Sequence, residues 1–173
     1  MVGYRRNRVA GGTYFFTVVL HDRASGLLTT HIDLLRKSLR ETIYRHPTRI
    51  EAMVILPDHL HCIWTLPPND DDYPARWKMC KSRFSQKLHQ TGATPPPNAQ
   101  GEYPIWQRRY WERTIRDDSD LRRCIDYIHF NPVKHGHAQQ VAGWPYSSFH
   151  RFVRAGLLPA DWGGGSSDGC YGE

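Results

Sequence analysis

Hydrophobic and polar positions form two kinds of pattern along the chain, and each pattern predicts one type of secondary structure. Four segments rich in β-branched and aromatic residues lie between turn-forming residues, which predicts strands at residues 11–23, 50–56, 59–66 and 107–115. In three other segments hydrophobic residues recur every three or four positions, which predicts helices at residues 27–46, 73–90 and 118–130. Pro132 disfavours helical geometry at Asn131, so we expect the third helix to close there.

The order of these elements is strand, helix, strand, strand, helix, strand, helix. It predicts an α+β fold: a ferredoxin-like antiparallel sheet with helices packed on it, plus an additional C-terminal helix and tail. At 173 residues the chain suits a single domain, 1–173. Within it we expect a basic N-terminal arm, a core, a C-terminal extension and a flexible tail, at residues 1–10, 11–131, 132–162 and 163–173.

Composition narrows the class of protein. The 23 Lys and Arg residues exceed the 17 Asp and Glu residues, and the resulting net charge of +6 favours a polyanionic partner. Ribosomal, nucleic-acid-binding and membrane-surface proteins share that balance. The four cysteines are scattered without a C-x-x-C pair, which is typical of free thiols in a reducing cytosol. Since no hydrophobic run approaches membrane-spanning length, we expect a soluble cytoplasmic protein with no membrane partner.

Two histidines lie one residue apart on the third predicted strand. Residues i and i+2 of a strand share a face, so His59 and His61 stand side by side with Cα atoms about 7 Å apart. Two neutral imidazoles at that separation can bind one divalent ion. The alternative is that both lie on a solvated or hydrogen-bonded face, and for an isolated H-x-H pattern this alternative is favoured.

The third predicted helix carries two further polar candidates. Its hydrophobic stripe is formed by Leu121, Ile125 and Ile128. Tyr127 lies about 100° round the helix from the centre of that stripe, so we expect it on the flank, away from the core. Asn131 follows one turn later on the same flank. A phenolic nucleophile and an amide ligand would share one edge; alternatively Tyr127 fills the boundary between helix and sheet, and Asn131 caps the helix.

Several segments resemble a known family. "ILPDHLHCIW" resembles the His-hydrophobic-His strand of the HUH endonuclease superfamily, and "LRRCIDYIHFNPVKHG" resembles the tyrosine helix of its single-tyrosine transposases. More closely, "GGTYFFTVVLHDR", "RRYWERTIRDDSDL", "DYIHFNPVKHG" and "WPYSSFHRFVRAG" are similar to the REP-associated tyrosine transposases of bacteria, and the similarity extends over residues 5–162. This resemblance implies a ferredoxin-like catalytic core with His59 and His61 as metal ligands and Tyr127 as nucleophile.

The resemblance also implies a reaction. Such an enzyme cleaves and rejoins single-stranded DNA at repetitive extragenic palindrome (REP) hairpins through a 5′-phosphotyrosine intermediate, so no ATP is needed. The family uses Mg²⁺ or Mn²⁺, which suits two imidazoles and the Asn131 amide. Insertion-sequence relatives carry Gln where this chain and the REP-associated group have Asn131, so direct or water-mediated binding stays open. Either the ion or Lys134 can activate Tyr127, whose unperturbed pKa is near 10.

Basic residues give candidates for the DNA interface, because cations bind phosphate and aromatic rings stack on unpaired bases. The candidates are Arg5, Arg6 and Arg8 in the arm, Lys78, Lys81, Arg83 and Lys87 on the second helix, Arg108 and Arg109 before the last strand, and Lys134. The alternative for about half of the lysines is a solvated helix face, and we favour packing over DNA contact for residues 144–154. We expect the arm to read the nucleotides beside the hairpin foot.

Two other functions remain open at this point. A replication or conjugation nickase shares the histidine pair, but the small size and the lack of a helicase region argue against it. A domesticated hairpin-binding protein without turnover is the other, and the retained Tyr127 argues against it. The expected partner is single-stranded DNA with palindromic hairpins, the chain is a monomer or homodimer, and it associates with the nucleoid when bound to DNA.

Overall fold

The computed structural model describes residues 7–164 and contains one antiparallel sheet of four strands. The strands are Thr13–Val19 (β1), Arg49–Ile55 (β2), His59–Thr65 (β3) and Trp111–Thr114 (β4). They are ordered β2-β3-β1-β4, and each neighbouring pair is antiparallel. This order places β1 and β3 in the centre, as the ferredoxin-like prediction requires, and the predicted α+β fold is therefore confirmed.

Five helices surround the sheet in the described part of the chain. They are Leu27–Thr30 (α1), Ile32–Arg45 (α2), Tyr73–Gln90 (α3), Asp118–Lys134 (α4) and Phe149–Arg154 (α5), with a single 3₁₀ turn at Val141–Gly143. The single helix predicted at residues 27–46 is divided by the non-helical backbone of His31. The last strand is shorter than predicted, since its regular pairing with β1 begins at Trp111; Gln107 makes one separate backbone hydrogen bond to Val19 at 3.0 Å.

Helix α4 begins as predicted and ends later than predicted. The Asp117 side chain caps it by accepting a hydrogen bond from the Asp120 N–H at 2.8 Å. The helix then passes through Pro132 to Lys134, so the expectation that it closes at Asn131 is wrong. A proline removes one N–H and merely disfavours helical geometry in the preceding residue. Burial of Asn131 and Pro132 outweighs that preference, and at the end of the helix the His135 N–H donates to the Asn131 carbonyl at 3.0 Å.

The two faces of the sheet carry separate hydrophobic cores. Leu60, Cys62 and Trp64 of β3 point to the face covered by α2 and α3, where the larger core lies. The intervening residue Ile63 points to the opposite face, where it packs with Phe15 and with residues of α4 in a smaller core. Because side chains alternate along a strand, His59 and His61 lie on this second face, beneath α4.

The C-terminal segment follows the outer edge of the sheet. The Ile55 N–H of β2 donates to the Tyr146 carbonyl at 2.9 Å, and the Ser148 N–H donates to the Met53 carbonyl at 2.8 Å. Residues 144–154 therefore pack along the free edge of β2, as expected, and cover an otherwise exposed edge strand, while side chains such as Arg154 stay exposed on the outer side of the segment.

Two expectations drawn from composition have different outcomes. Cys62 and Cys80 are buried free thiols, as predicted. Cys124 is disulfide-bonded, so the expectation of a free thiol is wrong there; sequence spacing alone carries no information on pairing. Cys170 lies outside the described residues.

No helix in the part of the chain that the structure describes has both the length and the hydrophobicity needed to cross a bilayer.

Candidate active site

The two histidines of β3 form a close pair under helix α4. The ring centroids of His59 and His61 lie 4.9 Å apart with an angle of 81° between the ring planes. Both side chains are buried, with exposed fractions of 2% and 0%. They are not part of the larger core on the α2 and α3 face. A solvated face is therefore excluded, whereas a hydrogen-bonded face, the other part of that alternative, is what both rings occupy.

The His59 ring is held by a carboxylate. Its Nδ1 lies 2.8 Å from Asp58 Oδ1, and the other carboxylate oxygen accepts a hydrogen bond from Arg23 Nε at 2.7 Å. Because an ionised carboxylate only accepts, Nδ1 carries the proton and Nε2 keeps its lone pair. That Nε2 atom is buried and has no hydrogen-bond partner among the described residues. A carboxylate that fixes the tautomer in this way is typical of metal-binding histidines.

The His61 ring is held by the neighbouring strand. Thr17 of β1 lies directly opposite His61 in the sheet register, and its Oγ1 is 2.9 Å from His61 Nδ1. Thr17 is itself buried, so this contact is shielded from water. The contact fixes the ring through Nδ1 and directs the Nε2 edge away from β1. Both histidines are thus oriented through the same ring atom.

The electrostatic surroundings favour the neutral form of His59. Burial lowers its pKa, and the nearby His135 and Arg23 lower it further, while Asp58 opposes these effects. The net pKa lies below the ordinary value of 6.5. His59 is therefore neutral at physiological pH, which is the form that binds a metal ion.

Tyr127 faces the histidines from α4. Its ring centroid lies 5.4 Å from that of His61 and 6.0 Å from that of Phe15, and the residue is 3% exposed. The expectation that Tyr127 lies on the flank, away from the core, is wrong. The helix is rotated so that Tyr127 and Ile128 face the sheet together. Neighbouring core residues on a helix can be 100° apart, so the stripe alone did not fix the rotation.

Two further predicted residues lie on the same stretch of α4. Asn131 is fully buried one turn after Tyr127, and the residue that caps the helix is His135, so the capping alternative for Asn131 is excluded. Lys134 Nζ lies 3.5 Å from the Tyr127 hydroxyl oxygen and 5.0 Å from the centroid of its ring. A cation therefore stands beside the candidate nucleophile.

Four residues at the site were missed by the sequence analysis. Asp58, Thr17 and Arg23 orient the histidines, and the His135 ring lies 5.3 Å from that of His59. Asp58 had a signal, since it directly precedes His59. The contacts of Thr17 and His135 depend on strand register and on the docking of α4, neither of which leaves a local pattern.

These residues suit a small divalent ion. In the described part of the chain no group of three or more His, Cys, Asp or Glu side chains is arranged to hold a metal ion, so a centre here would use two imidazoles and an amide. The buried Nε2 of His59, its neutral ring and the supporting Asp58 carboxylate fit that role. An amide and two imidazoles leave positions for phosphate oxygen and water, unlike a closed structural zinc site.

The predicted DNA-binding residues on α3 lie on the other face of the sheet. Lys78 is exposed, and Lys81 Nζ donates to the Gln107 carbonyl at 3.0 Å. Arg83 and Lys87 both pair with a carboxylate of α2, Glu41, at 2.6 and 3.0 Å. The sheet therefore separates these cations from Tyr127, and most of them make contacts within the protein.

The remaining predicted cations are dispersed. Arg8 lies 3.6 Å from Asp71 and 3.9 Å from Asp72, and Arg108 pairs with Glu102 at 3.3 Å. Arg109 is exposed in the loop before β4. Arg5 and Arg6 lie outside the described residues. Of the described candidates, Lys134 is the one that the fold brings to Tyr127.

Comparisons with known proteins identify the family of this chain. A family described as "Transposase IS200 like" matches residues 9–131. The REP-associated tyrosine transposase of Escherichia coli (strain K12) is 46% identical over 173 residues, covering 100% of this chain and 98% of the relative. A putative REP-associated tyrosine transposase of Haemophilus influenzae is 47% identical over 166 residues, covering 95% and 94%.

A solved structure extends the similarity to three dimensions. It is described as the REP-associated tyrosine transposase bound to a REP hairpin, and it matches with a TM-score of 0.87 and 46% identity, covering 100% of this chain and 98% of the other. The sequence similarity and the similarity of fold lead to one assignment. The chain belongs to the IS200-like transposase family, in its group of REP-associated tyrosine transposases.

Proposed function

We propose that this transposase cleaves and rejoins single-stranded DNA at REP hairpins, with Tyr127 as the nucleophile. The observation that carries the proposal is the 5.4 Å contact between the rings of Tyr127 and His61 on one buried face. The relative whose structure is described with a REP hairpin supports the choice of substrate.

The reaction uses one phosphodiester. The Tyr127 oxygen attacks the phosphorus, a new P–O bond joins the DNA 5′-phosphate to the tyrosine, and the bond to the 3′-oxygen breaks to leave a free 3′-hydroxyl. A second DNA end then attacks the phosphotyrosine and releases the enzyme. The covalent intermediate preserves the bond energy. Lys134 stabilises the phenolate, because its ammonium group lies 3.5 Å from the phenolic oxygen.

His59, His61 and Asn131 would hold one divalent cation, Mg²⁺ or Mn²⁺. When bound, such an ion neutralises charge on the phosphate and polarises its oxygens. Asp58 and Thr17 keep the two imidazoles oriented in its absence, so the ligands are arranged before DNA arrives.

The decisive experiment is the formation of a protein–DNA adduct. The purified chain is incubated with a labelled single-stranded REP hairpin and Mn²⁺, and we expect a labelled band that survives denaturation. Tyr127→Phe abolishes this band. Tyr103→Phe is the matched control, because Tyr103 is 44% exposed in the loop between α3 and β4, and it leaves the band unchanged. An adduct that persists in Tyr127→Phe refutes the assignment of the nucleophile.

The same assay separates the other two functions. Retarded mobility on a native gel without any adduct identifies a binding protein without turnover. An adduct that forms but never rejoins to a second DNA end identifies a nickase. Each outcome contradicts a different part of the proposal.

The oligomeric state of the active enzyme is tested by mixing inactive variants. Tyr127→Phe and His61→Ala are each inactive in the proposed mechanism. If a homodimer exchanges the tyrosine between copies, the mixture recovers adduct formation on one copy; if each copy is self-sufficient, as the short Tyr127–His61 separation within one chain favours, the mixture stays inactive.

A further inference from the structure

A groove lies at the sheet edge, away from the catalytic residues. It has a volume of about 370 Å³ and lies between α2 and residues 145–151. Its hydrophobic lining includes Leu39, Ile43 and Met53. An adjoining depression shares Arg36 and extends the groove to Arg154. Grooves of this size with a hydrophobic floor and few polar groups are typical of ligand sites.

The charge of the groove has one sign. Among the described residues that line the groove and its extension, four are arginines and none is acidic: Arg36, Arg40, Arg151 and Arg154. Arg40 and Arg154 are exposed, and neither forms an ion pair with any described residue. Arg36 lies 4.0 Å from Asp33, and Arg151 donates to the Ile50 carbonyl at 3.0 Å, so Arg40 and Arg154 are the two available cations. A one-sided positive surface of this kind attracts a polyanion.

Aromatic rings accompany the arginines. Tyr146 lines the groove, with the Arg36 guanidinium 5.5 Å from its ring centroid. Tyr44 lies one turn after Arg40 on α2 and is 89% exposed, although tyrosines usually bury their rings. Alternating guanidinium groups and aromatic rings are the surface on which unpaired bases stack while phosphates are bound.

The hydrophobic floor distinguishes between kinds of nucleic acid. In a duplex the base faces are already stacked, so a floor formed by Ile43 and Met53 gains nothing from contact with it. In a single strand the base faces are free and can be buried there. The groove therefore suits an unpaired segment.

The groove and the catalytic face are connected around the edge of the sheet. Met53 and Ile55 point into the face covered by α2, whereas Trp144 packs with the smaller core under α4. Trp144 Nε1 also donates to the Ile55 carbonyl at 2.9 Å, and residues 144–148 cross the β2 edge between the two faces. A strand leaving the catalytic face reaches the groove by following this segment.

We propose that the groove binds the single-stranded DNA that flanks the hairpin, with Arg40 and Arg154 on its phosphates and an unpaired base on the floor beside Tyr146. This inference rests on the proposed function for the identity of the substrate, and it adds a binding surface outside the catalytic centre.

The test measures binding without cleavage, in the Tyr127→Phe background. The probes are a labelled hairpin with a single-stranded extension, the same hairpin without it, and an unstructured oligothymidine of about 12 nucleotides. The groove variant combines Arg40→Ala and Arg154→Ala. The control combines Lys37→Ala and Arg45→Ala, which removes two exposed positive charges from α2 outside the groove. Light scattering and thermal unfolding are recorded for each variant.

We expect the groove variant to weaken binding of the oligothymidine and of the extended hairpin on the order of tenfold, with a salt slope reduced by about two. Binding of the hairpin without extension stays within about twofold, and the control changes all three probes equally little. Equal losses in the two variants, or unchanged oligothymidine binding, overturn the proposal. A dimer that dissociates in the groove variant without altered DNA affinity assigns the groove to a second copy instead.

Failure of the proposed function gives a different result. In one such outcome the protein forms no adduct with any hairpin while its oligothymidine affinity depends on Arg40 and Arg154. That result supports DNA binding in the groove and refutes the proposed cleavage by Tyr127. If the adduct forms normally and the oligothymidine affinity is the same in both variants, the cleavage by Tyr127 is supported and DNA binding in the groove is refuted.

Discussion

Asp120 fixes the beginning of the tyrosine helix, and its removal has a calculable cost. Its carboxylate accepts hydrogen bonds from Arg113 at 2.9 and 3.0 Å, from the Arg116 N–H at 3.0 Å and from Arg123 at 3.3 Å. Burial opposes ionisation, but these donors outweigh it and lower the pKa from 3.8 to about 2. At 1.36 kcal/mol per pKa unit, ionised Asp120 stabilises the fold by about 2 kcal/mol.

We therefore expect Asp120→Asn to lower the free energy of unfolding by about 2 kcal/mol at pH 7 and the melting temperature by about 4–8 °C. The stabilisation is fully present above the unfolded pKa of Asp, near 3.9, and is lost as the pH falls through the folded value of about 2. The difference between the two proteins, measured by urea unfolding, is then constant from pH 5 to 8 and shrinks below about pH 4.

The control is Asp118→Asn, which removes an exposed carboxylate from the same helix turn. It loses at most a helix-dipole contribution of about 0.5 kcal/mol. If Asp120→Asn costs no more than this control, or if its cost is the same at pH 2.5 as at pH 7, the argument that the ionised carboxylate stabilises the fold is refuted.

Three further predictions address the site. Asp58→Ala lowers Mn²⁺ affinity, measured by calorimetry without DNA, by about 10- to 100-fold, whereas Asp33→Ala leaves it unchanged; equal affinities would disprove the orienting role. Lys134→Met slows adduct formation on the order of 100-fold at equal DNA affinity, because the cation beside the phenolic oxygen is lost. Lys134→Arg restores part of the rate, since it restores a cation there. An unchanged rate in Lys134→Met would show that another group activates Tyr127. Phe15→Ala removes a fully buried ring under α4 and lowers the unfolding free energy by about 3–5 kcal/mol in urea, and a loss below about 1 kcal/mol contradicts the second core.

Much of the fold could be predicted from the sequence because its elements follow local rules. Alternation along β3 separates His59 from Leu60, and the short Pro57-Asp58 connection forces β2 and β3 into a hairpin. The cap of α4 at Asp117 was equally local. These features depend on residues within a few positions of one another.

Other features depend on how distant segments meet. The rotation of α4 that turns Tyr127 towards the sheet is set by packing against Phe15, far earlier in the chain. The passage of α4 through Pro132 depends on burial, which no local preference encodes. The groove joins Arg36 to Arg151, so nothing near either residue indicates that they share a surface.

The separation of the two cores sets the order in which parts of the molecule lose structure. The sheet, α2 and α3 bury the larger set of hydrophobic residues without α4, whereas α4 is held by the smaller set. Local unfolding of α4 alone would move Tyr127 away from the histidines while the rest of the protein stays folded. Activity is therefore lost under milder conditions than those that unfold the whole protein. Amide exchange in α4 should consequently be faster than in α3, and warming should abolish DNA joining before it melts the protein.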